Sequence, residues 1–141
     1  MRFYEATSVI DAGPEAVWSV LSDGAGWAEW DSGVEAVEGR IAAGETVTIR
    51  AKAAPGRVFP VRVTAFEPPV RLRFDGGMPF GLFRGVRTYG LSAVPDGGTS
   101  FHVREEYTGL LLRLIWRSMP DLAPSFDRFA AGLKARVESG G

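Results

Sequence analysis

Residues 121–138 read "DLAPSFDRFAAGLKARVE". Leu122, Phe126, Phe129, Leu133 and Val137 recur at steps of three and four, so they fall on one side of an α-helix. Asp127, Arg128, Lys134 and Arg136 fall elsewhere on its circumference. Asp121 can cap the start, and Pro124 is tolerated in a first turn, where no intrahelical N–H bond is lost. A helix with a single apolar stripe must bury that stripe against another layer. The rest of the chain has to supply that layer.

What precedes it is mostly strand. Residues 2–10, "RFYEATSVI", read as a first strand. "DAGPEAVWSVLSDG" (11–24) reads as a short helix, with Pro14 at its start, Val17, Trp18 and Leu21 on one side and Gly24 at its end. "GWAEWD" (26–31) places Trp27 and Trp30 one turn apart on a second short helix. Six short runs follow. They are 33–39, 45–52, 57–66, 70–74, 85–94 and 99–109, and most alternate apolar with polar, as a half-buried antiparallel sheet requires. Pro60 has no N–H for a ladder, which predicts an edge or a bulge there. "PDGG" (95–98) predicts a hairpin between the last two strands. Residues 110–119 carry Arg113 and Arg117 one turn apart on an otherwise apolar circumference, which predicts a buried helix ended by Pro120. The expected class is α+β, one domain over 1–141. It comprises a curved seven-stranded antiparallel sheet wrapped around a long C-terminal helix, with two short helices after the first strand.

Composition narrows the function. The 141 residues carry a formal net charge of −1, which as a whole provides no basic footprint for nucleic acid or for an acidic membrane surface. There is no cysteine and a single histidine, so no disulfide, thiolate site or His-rich metal centre is expected. No Ser-His-Asp set is credible around that histidine, because His102 falls on the outward side of its strand. The apolar run "GLLLRLIW" (109–116) is far short of the roughly 20 residues a membrane span needs. The start has no basic, then apolar, leader pattern, so a cytoplasmic protein is expected. The glycines of "DGGMPFGLFRG" (75–85) do not form a phosphate loop, since no Lys-Ser/Thr and no parallel strand–helix unit follows. With Met78, Phe80, Leu82 and Phe83, that stretch reads as a flexible apolar connection. It either lids a pocket or packs on the long helix.

The candidate chemistry lies in "FHVREEYTG" (101–109). Alternation puts Phe101, Val103, Glu105 and Tyr107 on one side, and His102, Arg104, Glu106 and Thr108 on the other. The first side is apolar and so points inward, and it carries a carboxylate. On the neighbouring strand Arg87, Tyr89, Leu91 and Ala93 form the matching inward set. Two registers are open: Arg87 opposite Glu105, or Tyr89 opposite Glu105. Either gathers an arginine, two tyrosines and a glutamate on one patch. A charged carboxylate in an apolar interior has to be paired. The patch is therefore a structural ion pair or the polar end of a ligand site, with Glu105 and Tyr107 as acid/base candidates. Trp27 and Trp30 are either core or the rim of an entrance. Phe80, on its glycine-rich connection, would cover that entrance. Phe126 and Phe129 read first as core, and the same side of the helix would wall any pocket left between it and the sheet.

The stretch "IDAGPEAVWSVLSD" (10–23), the W-x-x-W of Trp27 and Trp30, a glycine-spaced stretch over 32–44 and the E-x-Y-x-G of Glu105, Tyr107 and Gly109 resemble the START-like helix-grip superfamily, also called SRPBCC. The nearest branch is the bacterial polyketide cyclase/dehydrase-like one. Gly13 before Pro14 departs from the pattern, which bears on capping and leaves chemistry untouched. The resemblance runs over nearly the whole chain. It implies a hydrophobic cavity between sheet and long helix that holds a small molecule. One fold hosts many functions, so three classes stay open. They are a binding module for a lipid- or polyketide-like ligand, a cyclase or dehydratase using Glu105, Tyr107, Tyr89 and Arg87 for proton transfer, and a co-chaperone-like interaction module. No cofactor is expected, and a homodimer through an edge strand or the 110–119 helix is a further option.

Overall fold

The computed structural model describes residues 1–140; Gly141 lies outside them. The strands are β1 (Arg2–Ile10), β2 (Val34–Glu38), β3 (Thr46–Ala51), β4 (Phe59–Glu67), β5 (Arg71–Met78), β6 (Phe83–Ala93) and β7 (Thr99–Thr108). They form one antiparallel sheet in the order β1-β7-β6-β5-β4-β3-β2. Helix α1 (Pro14–Leu21) and a 3₁₀ helix (Gly24–Glu29) follow β1, while α2 (Leu112–Ser118) and α3 (Ala123–Glu138) close the chain. The expected α+β helix-grip architecture is what the chain adopts.

Alternation decides which side of the sheet is covered. Phe101, Val103, Tyr89, Leu91, Leu72 and Phe74 point inward and are buried. Helix α3 packs over β1 and β7 and brings Phe126, Phe129, Ala130, Leu133 and Val137 into the same core. Each large side chain buried there stabilises the fold by roughly 1.5–3 kcal/mol relative to exposure. The N-cap position falls to Leu122, which has no side-chain cap, and Asp121 one residue earlier accepts the Ala123 N–H at 3.0 Å. Gly132 lets α3 approach the chain after the 3₁₀ helix, since a Cβ there would sit 2.0 Å from the Asp31 carbonyl oxygen.

Three local readings change. Pro60 is neither on an edge strand nor at the bulge. It stands opposite Thr48 of β3, one residue before β4 begins to pair with β5 at Val61, so its missing N–H breaks no ladder bond on that side. The bulge of β4 comes later, between Val63 and Ala65. It slips the alternation by one, so Phe66 rather than Ala65 turns inward, edge-on to Trp18 at 5.4 Å. The 75–85 stretch is mainly strand: Gly76 pairs with Gly85 and Gly77 with Arg84, leaving a short connection at 79–82. Helix α2 is not buried all round, for it lies across one end of the sheet. Leu112 is covered, while Leu110 and Leu114 face solvent.

Candidate functional site

The register of β6 against β7 sets Arg87 opposite Glu105 and Tyr89 opposite Val103. Carried through β1 and β5, one inward row reads Tyr4, Glu105, Arg87, Phe74 across four strands. The next row towards α2 reads Arg2, Tyr107, Gly85, Gly76. Glu105 therefore lies on the inward side and Glu106 on the outward side, where Glu106 accepts a bond from Arg104 at 2.9 Å.

Arg87 Nε donates to Glu105 Oε1 at 2.6 Å. The pair is only half-buried, with 28% of the Arg87 and 18% of the Glu105 side chain exposed. Beneath it the guanidinium lies 4.6 Å from the centre of the Phe126 ring, a cation–π contact from α3. Gly85 makes room for the carboxylate: a Cβ at that position would sit 2.8 Å from Glu105 Oε2. On either side of the pair, the hydroxyls of Tyr89 and Tyr107 are buried and make no hydrogen bond of normal geometry among the described residues, although Arg87 lies near both and Glu105 near Tyr107.

The electrostatics follow from this crowding. Burial pulls the Arg87 guanidinium down, but the Glu105 carboxylate and the two phenols outweigh it, so Arg87 is held above its ordinary value. Burial pushes the Tyr89 phenol up. Burial also pushes up Tyr107, and the Glu105 charge adds to it. Both tyrosines thus remain neutral hydrogen-bond donors at any physiological pH.

A layer of rings closes the site. Tyr4 stacks on Trp116 of α2 at 5.3 Å and on Phe126 at 5.6 Å. Trp116 also meets Tyr107 at 5.6 Å, and Phe83 stacks on Tyr107 at 6.0 Å. The space between sheet and α3 is therefore filled by side chains at this end. Two surface cavities lie away from the pair, and neither of these is bordered by Glu105 or Arg87. One of 470 Å³ lies between α1, the 3₁₀ helix and the end of α3, beside Ser19, Asp23, Trp30 and Arg136. The other, of 380 Å³, lies at the β5–β6 hairpin, beside Asp75, Met78 and Arg84. Among the described residues no group of three His, Asp or Glu side chains could hold a metal ion.

The expected site residues thus divide. Arg87, Tyr89, Glu105, Tyr107 and Phe126 come together. Phe129 lies deeper, against Trp27, Trp30, Tyr89 and Phe101. Trp27 is not at an entrance: it is fully buried, and its indole N–H donates to the Leu21 carbonyl at 3.0 Å. Trp30 borders the 470 Å³ cavity, away from the Glu105 patch. Phe80 covers nothing. It stands at the hairpin tip, 92% exposed, because the glycines around it pair as strand and turn the connection outward. The sequence reading did not single out Tyr4, Gly85 or Trp116. Counting back from Ile10 in steps of two does place Tyr4 inward, so the signal was there. Nothing local marked Gly85, whose role depends on the strand beside it.

The family model for polyketide cyclase/dehydrase and lipid transport proteins matches residues 1–138. No curated protein matches. Among solved structures, MLL2253 from Mesorhizobium loti superposes with a TM-score of 0.76 at 20% identity, covering 99% of both chains. TTHA0849 from Thermus thermophilus gives a TM-score of 0.71 at 22% identity, also over 99% of both. DynU16, of the dynemicin biosynthetic locus, gives 0.72 at 18% identity, over 98% of this chain and 48% of the other. At these identities the structures speak for the shared fold. The match over residues 1–138 goes further, and with it the chain belongs to the polyketide cyclase/dehydrase and lipid transport family.

Proposed function

We propose that the chain binds a hydrophobic small molecule, lipid- or polyketide-like, between the sheet and α3, with Arg87, Glu105, Tyr89 and Tyr107 at its polar end. One observation carries this: two buried hydroxyls without a well-formed hydrogen bond flank a half-buried ion pair. Each unsatisfied buried hydroxyl costs roughly 1–3 kcal/mol, and a carbonyl or hydroxyl of a ligand would accept from one or both. The family description, which includes lipid transport, supports the same reading. Entry requires Tyr4 and Trp116 to move apart. Helix α2, between Gly109 and Pro120, is the element that would swing.

The test is native mass spectrometry of the protein purified from its own cell extract, followed by titration of the species found. Retention of one hydrophobic species, with at least tenfold weaker binding by Arg87→Ala, supports the proposal. If the wild-type protein carries no such species and no member of a fatty-acid and aromatic polyketide panel binds it, the proposal is wrong.

A second reading makes the same patch an acid/base site. Gly85 leaves Glu105 Oε2 free on its own side, where a Cβ would sit 2.8 Å away. Burial keeps Tyr107 protonated beside it. Glu105 would take a proton next to a ligand carbonyl, and the Tyr107 hydroxyl would stabilise the enolate formed. Glu105→Gln should then abolish turnover of a bound ligand while binding persists; loss of binding alone would remove the catalytic claim.

A further inference from the structure

Four exposed apolar side chains, including the two most exposed in the described residues, lie on two neighbouring stretches at one end of the sheet. Phe80 is 92%, Leu110 82% and Leu114 66% exposed, and Met78 adds to them. They belong to two stretches that backbone bonds stitch together. The Leu110 N–H donates to the Gly81 carbonyl at 3.1 Å, and the Leu111 N–H to the Leu82 carbonyl at 2.8 Å. The hairpin tip and the start of α2 therefore present one surface. Phe80 takes φ of +61° to hold its ring outward, a conformation non-glycine residues seldom adopt. A contiguous apolar patch of this kind marks an interaction surface more often than chance.

Charge selects the occupant. Residues 109–120 contain Arg113 and Arg117 and no acidic residue. Both are exposed, and neither forms an ion pair among the described residues. Arg2 reaches over the Trp116 ring of the same helix at 5.4 Å. Asp75 pairs with Arg84, Glu105 with Arg87 and Glu106 with Arg104, while Asp121, just past Pro120, accepts the Ala123 N–H. The patch is thus apolar with a cationic margin. Two copies meeting through it would bring Arg113 and Arg117 against their own counterparts. An anionic bilayer surface would accept both the leucines and the arginines, as it does for basic amphipathic helices.

We infer that this end, built from Phe80, Leu110, Leu114, Arg113 and Arg117, docks the protein on anionic lipid bilayers. The surface lies outside α2, on the opposite side from the ring layer of Trp116. Docking is read without any interior ligand, so its failure and the failure of the ligand site are separate results.

The test is co-sedimentation with phosphatidylcholine vesicles, with and without phosphatidylglycerol, at low and high salt. The wild-type protein should sediment with the anionic vesicles and leave them as salt rises. Each arginine brought to such a surface is worth roughly a fivefold gain in partition. Arg113→Gln with Arg117→Gln should therefore weaken binding on the order of twentyfold and flatten the salt dependence. Phe80→Ser with Leu114→Ser should abolish binding while far-ultraviolet circular dichroism and melting temperature hold. Equal binding to neutral and anionic vesicles would overturn the inference. So would absence of vesicle binding, whether the protein is monomeric or forms a dimer by light scattering that the Phe80→Ser, Leu114→Ser variant dissolves.

Discussion

The two ends of the space beneath α3 are built from similar residues and differ in how their polar atoms are satisfied. At the α1 end the Thr99 hydroxyl donates to the Ala12 carbonyl at 2.7 Å, and the Ser32 hydroxyl to the Trp27 carbonyl at 2.6 Å. The Trp27 indole is bonded as well; Trp30 is the exception there. Towards the α2 end the phenols of Tyr107 and, one row deeper, Tyr89 are buried without a well-formed hydrogen bond, a carboxylate and a guanidinium pair while partly exposed, and the segment that covers them exposes leucines. A core built only for stability satisfies its buried polar groups or omits them. The α1 end follows that rule except at the Trp30 indole. The α2 end departs from it in several ways at once, as functional sites do.

The comparison is broken most directly by truncating each end. Phe101→Ala removes a fully buried ring from the middle of the aromatic cluster and should cost about 3–5 kcal/mol in urea unfolding. Gly132→Ala should cost roughly 1–3 kcal/mol by overpacking, because its Cβ has no room beside the Asp31 carbonyl. If Trp116→Ala at the α2 end proves as costly as Phe101→Ala, the two ends are one continuous core and α2 is no lid. A markedly smaller loss is expected, since Trp116 is only partly buried.

A finer contrast comes from removing single hydroxyls. Thr99→Val leaves the part-buried Ala12 carbonyl without its donor and should destabilise by about 1–2 kcal/mol. Tyr107→Phe removes an unsatisfied hydroxyl and should leave stability unchanged or raise it by up to about 1 kcal/mol. A protein that is more stable without a buried group keeps that group for another reason. Thermal melts of both variants check this. Destabilisation by Tyr107→Phe equal to that of Thr99→Val would mean the hydroxyl is satisfied in solution.

These contrasts also explain what the sequence could disclose. The inward side of β7 was legible because alternation is a local rule, and Glu105 breaks it at one position. The register against β6 was not, since both options matched the apolar sides equally well; the hairpin closing at Ala93 and Thr99 chose between them. The α3 stripe was legible because each of its apolar residues is buried or nearly so. The α2 run looked much the same by composition. It differs because only one of its sides meets protein, and that depends on where the sheet ends. Phe80 was misplaced for a related reason. Glycine-rich segments read as loops, yet Gly76 and Gly85 allow close strand pairing.

The pH response sets the ends apart by a smaller margin. The folded pKa values of Tyr89 and Tyr107 lie above the ordinary 10.0, chiefly through burial. Below about pH 10 both are neutral whether folded or unfolded, so stability does not depend on them there. Above it the unfolded chain ionises first, and stability falls as pH rises. Tyr107→Phe should lessen that alkaline loss, measured by urea unfolding on both sides of pH 10, whereas Phe83→Leu beside it should not.

The smallest effect belongs to the hairpin that carries Phe80. Asp75 is held below its ordinary 3.8, first by the hydrogen bond from Arg84. A lowered carboxylate contributes stability above the unfolded value and loses it as pH falls through the folded one. The pair is largely exposed on the Arg84 side, so its removal should change global stability by well under about 1 kcal/mol. Its effect should be local. Amide exchange at Met78 and Phe83, which pair at the end of the β5–β6 ladder, should quicken in Asp75→Asn, while exchange at Phe101 in the closed core stays unchanged. If exchange at Phe101 rose in step, the hairpin tip would be cooperative with the core. The α2 end would then lack the independent motion that a lid over the Glu105 patch requires.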